Sequence, residues 1–306
     1  MNIQEGLTPT ESAICGGFAG LVSRMVVAPL DVVKIRLQLQ SLHHPTSPDP
    51  NRYRGILKTI QLIIREEGVL ALWKGNLTAQ YLYLAYGAVQ FSTYQRVRTM
   101  ILHDQSPFKS ASQTSASFIA GSASGALATV MSYPLDLLRT RLASQGKDKV
   151  YTQLIPSIRQ IIRVEGVYGL YRGLLPSLLQ ISPYMGLMFG SYDLLHRRLG
   201  PYASPFLPDQ WIDIGCGAAA GILSKTGVFP LDLVRKRFQV QGPSRTRYAV
   251  HGIPRYGRSL TRALLHIVRY EGILGLYRGL FPSLVKAAPA SAATFWAFGF
   301  ARSFFI

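Results

Sequence analysis

Pro29-Leu30-Asp31-Val32-Val33-Lys34-Ile35-Arg36 returns as Pro134-Leu135-Asp136-Leu137-Leu138-Arg139-Thr140-Arg141 and again as Pro230-Leu231-Asp232-Leu233-Val234-Arg235-Lys236-Arg237. The copies align without gaps, 105 and 96 residues apart. Soluble helical solenoids repeat every ~20 to 50 residues, so this period is too long for them. Downstream of each copy lies a second block: Glu67-Gly68 to Trp73-Lys74-Gly75, Glu165-Gly166 to Tyr171-Arg172-Gly173, and Glu271-Gly272 to Tyr277-Arg278-Gly279. Nineteen residues after each closing glycine stands an aromatic residue, Tyr94, Tyr192 or Phe298. The chain therefore divides into repeats at 10–104, 113–200 and 209–306, after a short N-terminal segment at 1–9.

Composition says where the repeats reside. Of 306 residues 48% are apolar and only 16% charged, yet the net charge is +18. Low charge content favours a membrane protein, and basic flanks suit anionic lipids and anionic solutes. Six windows are almost free of charge: 12–30, 76–94, 113–135, 174–192, 214–231 and 280–301. Each as a helix spans a hydrocarbon core of ~30 Å at ~1.5 Å per residue. The expected fold is an all-α membrane protein of six transmembrane helices, arranged as three pseudo-symmetric two-helix repeats. Stretches near 53–66, 151–164 and 256–270 mix Ile and Leu with Arg and Lys, so each repeat also carries a short amphipathic helix along the membrane surface. The N-terminus holds Glu5 and Glu11 and no base before Arg24, unlike a secretory signal or an Arg-rich transit peptide. Cys15 and Cys216 each precede a motif proline by fourteen residues within small-residue runs, and read as packing residues.

Spacing gives the motif its chemistry. An acid two residues and a base five residues after the proline lie on one helical face. Within one helix they form a weak pair. Between three helices around an axis they form a ring in which Asp31 meets Arg139, Asp136 meets Arg235 and Asp232 meets Lys34. Such a ring closes one end of a cavity, and substrate binding can offset its opening. The prolines are expected to kink the helices near this end. Glycines four apart, Gly16 and Gly20, Gly121 and Gly125, Gly217 and Gly221, are expected to let backbones approach closely.

These residues closely resemble the mitochondrial carrier family, whose motif is Pro-x-acid-x-x-base-x-base followed by acid-Gly-x4-aromatic-base-Gly, in triplicate. The resemblance implies a monomeric six-helix bundle of the inner membrane, termini toward the intermembrane space, surface helices in the matrix, and alternating access to one central site. It also implies inner-membrane lipid, cardiolipin included, at the matrix Gly blocks. The family's glutamine brace is present as Gln38 and Gln239 and replaced by Ala143 in repeat two. Its second, cytoplasmic gate is degenerate here: Tyr94-Gln95 to Arg98, Tyr192-Asp193 to His196, Phe298-Gly299 to Arg302. Asp193 is its single acid, with Arg302 as the expected partner, so this gate is expected to be weak and the resting carrier to open outward.

Inside the spans, between motif prolines and outer ends, three charges remain: Arg24, Lys225 and Lys286. A charge at mid-membrane costs ~2.5 to 3.5 kcal/mol on an insertion scale, so such bases mark a solute pathway. Arg24 and Lys225 precede their prolines by five residues, where repeat two has Thr129. Lys286 is level with Leu82 and Gln180, and the resemblance makes that level, with Ile181 and Ala287, the substrate contact position. Three bases without a local acid suit a polyanion such as a pyrophosphate or nucleotide. Tyr83, Tyr86, Gln90, Gln180 and Tyr184 stand nearby to stack on and hydrogen-bond a heterocycle; structurally they are equally at home as packing residues.

Trp73-Lys74-Gly75-Asn76 leading to Tyr86-Gly87-Ala88-Val89-Gln90-Phe91-Ser92, and Ser132-Tyr133-Pro134 leading to Leu138-Arg139-Thr140-Arg141-Leu142, together with the Lys286 region, resemble the branch of the family that carries thiamine pyrophosphate. This implies import of that compound into the matrix in exchange for nucleotides. Carriers of adenine nucleotides, coenzyme A or deoxynucleotides need the same bases. A carrier-fold scaffold or ion leak is the reading from another class, and it predicts no saturable exchange. An enzyme finds no support, since no nucleophile with its base, phosphate loop or metal cluster is visible, and no cofactor is expected. Nucleic acid is not an expected partner, because the bases recur by repeat and do not form one face.

Overall fold

The computed structural model describes residues 8–41, 52–102, 113–199, 209–250, 252–257 and 259–305. Most of the N-terminal segment, residues 1–7 with Glu5, lies outside them. The helices are α1 (Pro9–Leu39), α2 (Ile56–Glu67), α3 (Asn76–Leu102), α4 (Gln113–Ser144), α5 (Leu154–Glu165), α6 (Leu174–Leu179), α7 (Ile181–Leu199), α8 (Asp209–Gln239), α9 (Leu260–Glu271), α10 (Leu280–Val285) and α11 (Ala287–Arg302). Long helices α1, α4 and α8 open the three repeats, and each runs through its motif proline. The second long helix of each repeat packs chiefly on the first helix of the next: α3 on α4, α7 on α8, and α11 on α1. That order closes the bundle into a ring.

The second spans of repeats two and three are interrupted where the first is continuous. The breaks fall at Gln180, between α6 and α7, and at Lys286, between α10 and α11. Three residues on stand Pro183 and Pro289, where repeat one has Ala85. Proline has no N–H to give the carbonyl four residues back and its ring crowds that carbonyl, so the ladder parts there.

Ile14, Phe18, Leu21 and Met25 follow one face of α1 and are exposed. Their i, i+4, i+7, i+11 spacing makes a continuous apolar stripe, which in a membrane faces lipid. Judged by length and composition alone, one described stretch, Ile212–Gln239, is apolar enough to cross a membrane. The other windows are diluted by the Gly, Ser, Thr, Gln and Tyr residues that a solute pathway needs. The buried core gathers at the ring end, from the lower halves of α1, α4 and α8 onto α2, α5 and α9. Cys15 and Cys216 are buried free thiols, in keeping with a packing role.

The expected close approach of the paired glycines is not found. A Cβ at Gly16, Gly20, Gly121, Gly217 or Gly221 would meet nothing within 4 Å, and one at Gly125 only the Tyr86 hydroxyl at 3.6 Å. The first helices of the repeats meet at the ring, and these glycines lie about three to four turns above it.

Each surface helix is 12 residues long and ends on the glycine of its Glu-Gly pair, with φ of +87°, +73° and +75° at Gly68, Gly166 and Gly272. A 3-10 turn then delivers the aromatic-base-Gly block. Gly173 has φ +84°, and a Cβ there would sit 2.9 Å from the carbonyl oxygen of Arg235 and 2.9 Å from the Tyr133 hydroxyl. Gly173→Ala is therefore expected to cost about 1 to 3 kcal/mol, read as a lower melting temperature in detergent; an unchanged value would refute this account of the contact between repeats.

The second base of each motif copy ties the repeats together. Arg36, Arg141 and Arg237 are fully buried. Arg141 pairs with Glu165 of its own repeat at 2.5 and 3.0 Å, donates to the carbonyls of Gln239 and Gln241 at 3.0 and 3.1 Å, and bonds the Tyr151 hydroxyl at 3.0 Å. Arg36 does the same with Glu67, Ala143, Gln145 and Tyr53, and Arg237 with Glu271, Gln38, Gln40 and Tyr256. These carbonyls end the next repeat's first helix and have no intrahelical donors. At the membrane surface, burial raises the Glu67 carboxyl, but hydrogen bonds and charge from Arg36 and then Lys74 hold it below the usual glutamate range.

Candidate functional site

The motif copies bring three carboxylates and three bases into one plane. Arg139 Nη2 lies 2.5 Å from Asp31 Oδ2, Arg235 Nη2 is 2.8 Å from Asp136 Oδ2, and Lys34 Nζ is 2.8 Å from Asp232 Oδ2. All three predicted contacts are present, each linking neighbouring repeats. Gln38 donates to Asp232 at 3.3 Å and Gln239 donates to Asp136, while Ala143 leaves the Asp31–Arg139 link without a brace. This ring closes the bundle at the end nearer the surface helices.

Immediately above the ring is a cavity of about 330 Å³ lined by acids and bases of the ring together with Leu82, Tyr83, Tyr86, Gln180, Ile181, Lys225 and Lys286. Seven of the ten predicted contact residues thus line one cavity. Arg24 lies beside the lining, its guanidinium carbon 3.3 Å from the centre of the Tyr83 ring. Gln90 and Tyr184 are half-buried and outside the lining.

The three bases were expected to lack a local acid, and for two of them this is corrected. Lys286 Nζ is 2.7 Å from Asp31 Oδ1 and Lys225 Nζ is 3.5 Å from Asp232 Oδ2. The ring carboxylates are the nearest countercharge, and both side chains reach down to them.

Lys236 belongs to the ring and the motif reading missed it. Its ammonium lies 3.3 Å from both oxygens of Asp136, 2.9 Å from Thr140 Oγ1 and 3.0 Å from Gln239 Oε1. The signal was an extra base six residues after the proline, where the other repeats have Ile35 and Thr140. Three acids thus meet six bases, Lys34, Arg139, Arg235, Lys225, Lys236 and Lys286, leaving an excess of three positive charges. Such a floor attracts anions.

At the opposite end the expected Asp193–Arg302 pair is replaced. Asp193 bonds Arg197 one turn on at 3.0 Å, in the open. His196 Nε2 and the Tyr192 hydroxyl meet Asp213 of α8 at 3.1 Å each. Gln95 is exposed, and Arg98 is half-buried with its Nε bonded to no described residue. A lysine- or arginine-length reach to the nearest acid on the same helix costs less ordering than a span across an open mouth.

One closed ring of ion pairs with a basic cavity above it defines a solute carrier shut at the ring end. The chain belongs to the mitochondrial carrier family: the family model described as "Mitochondrial carrier protein" matches residues 5–105, 110–203 and 208–306. It is a multi-pass protein of the inner mitochondrial membrane, and members of this family are transporters. It is 51% identical to the "Mitochondrial thiamine pyrophosphate carrier 1" of Aspergillus terreus over 95% of this chain and 91% of that protein. Proteins of the same name from Sclerotinia sclerotiorum and Aspergillus oryzae are 49% and 50% identical, over 94% and 95% of this chain and 90% and 92% of theirs.

Proposed function

We propose that this carrier imports thiamine pyrophosphate into the matrix, in exchange for nucleotides, through the cavity above the ring. The observation that carries this reading is the placement of Lys225 and Lys286, with Arg24 behind them, around the aromatic wall of Tyr83 and Tyr86. A pyrophosphate offers several oxygens to these bases and competes with Asp31 and Asp232 for them. Each lysine that turns to the anion leaves its ring acid with one base fewer, so binding energy weakens the gate. The Tyr83 face that holds the Arg24 guanidinium also suits a cationic thiazolium ring. Gln180 and Ile181 line the opposite side.

In this reading Asp31, Lys34, Asp136, Arg139, Asp232 and Arg235, braced by Gln38 and Gln239, form the matrix gate. Asp193, Gln95, Arg98 and Arg302 make a weak cytoplasmic gate, and the unloaded carrier rests open outward. A groove of about 540 Å³ between repeats two and three, lined by Tyr168, Arg172, Gly173, Tyr256 and Gly257, suits an anionic lipid of the cardiolipin type.

Counter-exchange in liposomes, with labelled thiamine pyrophosphate against a panel of nucleotides, tests the reading. Saturable uptake dependent on internal nucleotide is expected. Exchange of nucleotides without thiamine pyrophosphate would make this a carrier of another nucleotide-like anion, and no saturable exchange would make it a leak or scaffold.

A further inference from the structure

Two of the three ring links rest on the same pair of supports. At Asp136–Arg235, Gln239 donates to the acid, and the centre of the Tyr133 ring stands 5.8 Å from the Arg235 guanidinium carbon. At Asp232–Lys34, Gln38 donates to the acid at 3.3 Å, and the centre of the Phe229 ring is 6.0 Å from the Lys34 ammonium. The glutamine comes nine residues after a motif proline and the aromatic residue directly before one. At Asp31–Arg139 the corresponding residues are Ala143 and Ala28, which offer neither an amide nor a ring. A small void lined by Ala28, Asp31, Gly75, Arg139 and Ala143 lies there instead.

Tyr83 brings both kinds of support to this link, from the cavity side. Its hydroxyl accepts from Arg139 Nη1 at 3.4 Å while Nη2 of the same guanidinium holds Asp31. Its ring centre is 5.8 Å from the Arg139 guanidinium carbon, within the ~6 Å over which a ring attracts a cation. Tyr83 stands eight residues after the closing glycine of its block, where repeat two has Ile181 and repeat three Ala287. Neither carries a hydroxyl or a ring. The link that lacks the glutamine and the ring before the proline is thus the link with a tyrosine above it. Arg24 holds that tyrosine in place, its guanidinium carbon 3.3 Å from the ring centre. Arg24 belongs to α1, as Asp31 does, and Arg139 belongs to α4, so Tyr83 of α3 bridges the two helices that the link joins.

We infer that Tyr83 is the brace of the Asp31–Arg139 link, doing with one side chain what a glutamine and a ring do for the other two. It is a positioning residue for Arg139, in addition to its place on the cavity wall. A guanidinium already tied loses less freedom when it meets its acid, so the closed ring is favoured. The brace sets how firmly the closed ring holds and leaves the opening of all three links together unchanged. The inference rests on the reading of the ring as the matrix gate and holds whichever solute the cavity takes.

A single thiol above the ring tests it. Thr129 lines the cavity, and Thr129→Cys in a Cys15→Ser, Cys216→Ser background is the parent protein. In inverted inner-membrane vesicles without solute, a membrane-impermeant thiol reagent reaches position 129 from the matrix face when the ring opens. Tyr83→Phe keeps the ring and removes the hydroxyl, and is expected to label about threefold to tenfold faster than the parent, the effect of one lost hydrogen bond. Tyr83→Leu removes the ring as well and should label faster still. Adding Ala143→Gln to Tyr83→Phe supplies the support that the other links have, from the surface-helix side of the ring, and should return the rate to within about twofold of the parent. Equal rates for the parent, Tyr83→Phe and Tyr83→Leu overturn the inference. So does a faster rate that Ala143→Gln leaves unreversed in a double variant melting with the parent, because a hydroxyl that acted only by touching solute or by packing is not replaced from there. Should the double variant melt lower, the order of the parent, Tyr83→Phe and Tyr83→Leu decides alone. A parent that labels as fast from the matrix face as from the opposite face would instead count against the ring as the matrix gate.

Discussion

Lys286→Ala is expected to reduce exchange at low substrate concentration by about tenfold to a hundredfold, since a charge-assisted hydrogen bond contributes about 1.5 to 3 kcal/mol. The variant should remain folded. Its ammonium stands at a helix break facing the cavity, 25% exposed, and carries no core packing. A second effect follows from its 2.7 Å bond to Asp31. Without Lys286 that carboxylate keeps Arg139 alone, and this is the ring link without a glutamine brace. The gate should therefore open more readily to small thiol reagents added from the matrix side, even as substrate affinity falls. Lys286→Arg should recover part of the affinity, because the longer guanidinium still spans cavity and ring. Transport kinetics in liposomes measure the first effect, and labelling of a cysteine placed in the cavity wall measures the second. A KM equal to that of the unaltered protein would remove Lys286 from the proposed site.

The ring was legible in the sequence because its chemistry repeats three times at fixed spacing, so that two local facts, an acid and a base on one helix face, become a global contact by symmetry. Arg36, Arg141 and Arg237 were equally visible as letters, and so were Glu67, Glu165 and Glu271. Their pairing needed one further step, the recognition that opposite charges recurring in every repeat are partners. The second bases on the ring could not be reached that way. Lys286 meets an acid 255 residues away and Lys225 one on its own helix, and both contacts depend on how far a lysine extends down the cavity. The glycine pairs mislead for a different reason. Spacing shows which face is small, but the separation of the helices at that height depends on which end of the carrier is closed. Asp193 takes Arg197, one turn along the same helix, in place of Arg302, because a partner on the same helix needs less ordering than one across the mouth. The breaks at Gln180 and Lys286 were not foreseen, since windows 174–192 and 280–301 each read as one span, although Pro183 and Pro289 carried the signal: a missing N–H is a local fact that packing cannot repair.

Arg237→Ala should be the most destabilising single change of those considered. The side chain is fully buried and makes five hydrogen bonds: to Glu271 at 2.5 and 2.7 Å, to the Tyr256 hydroxyl at 2.7 Å, and to the carbonyls of Gln38 and Gln40 at 3.1 and 3.4 Å. Removing it leaves the Glu271 carboxylate, also buried, with the Ser41 hydroxyl at 2.8 Å as its remaining hydrogen-bond donor among the described residues. Breaking one side of such a pair costs about 3 to 5 kcal/mol, most of it from the charge left behind. The two carbonyls at the end of α1 lose their donors as well, and buried orphan acceptors add to the cost. The decisive comparison is with Arg237→Met combined with Glu271→Met. That double variant removes the stranded charge and refills the space, so it should melt above Arg237→Ala although it carries one more substitution. If the loss came from packing alone, the double variant would melt no higher than the single one. If the pair were an exposed surface bridge, Arg237→Ala itself would cost less than about 1 kcal/mol. Melting in detergent separates these cases without any transport assay, and so tests the contact between repeats three and one independently of what the carrier moves.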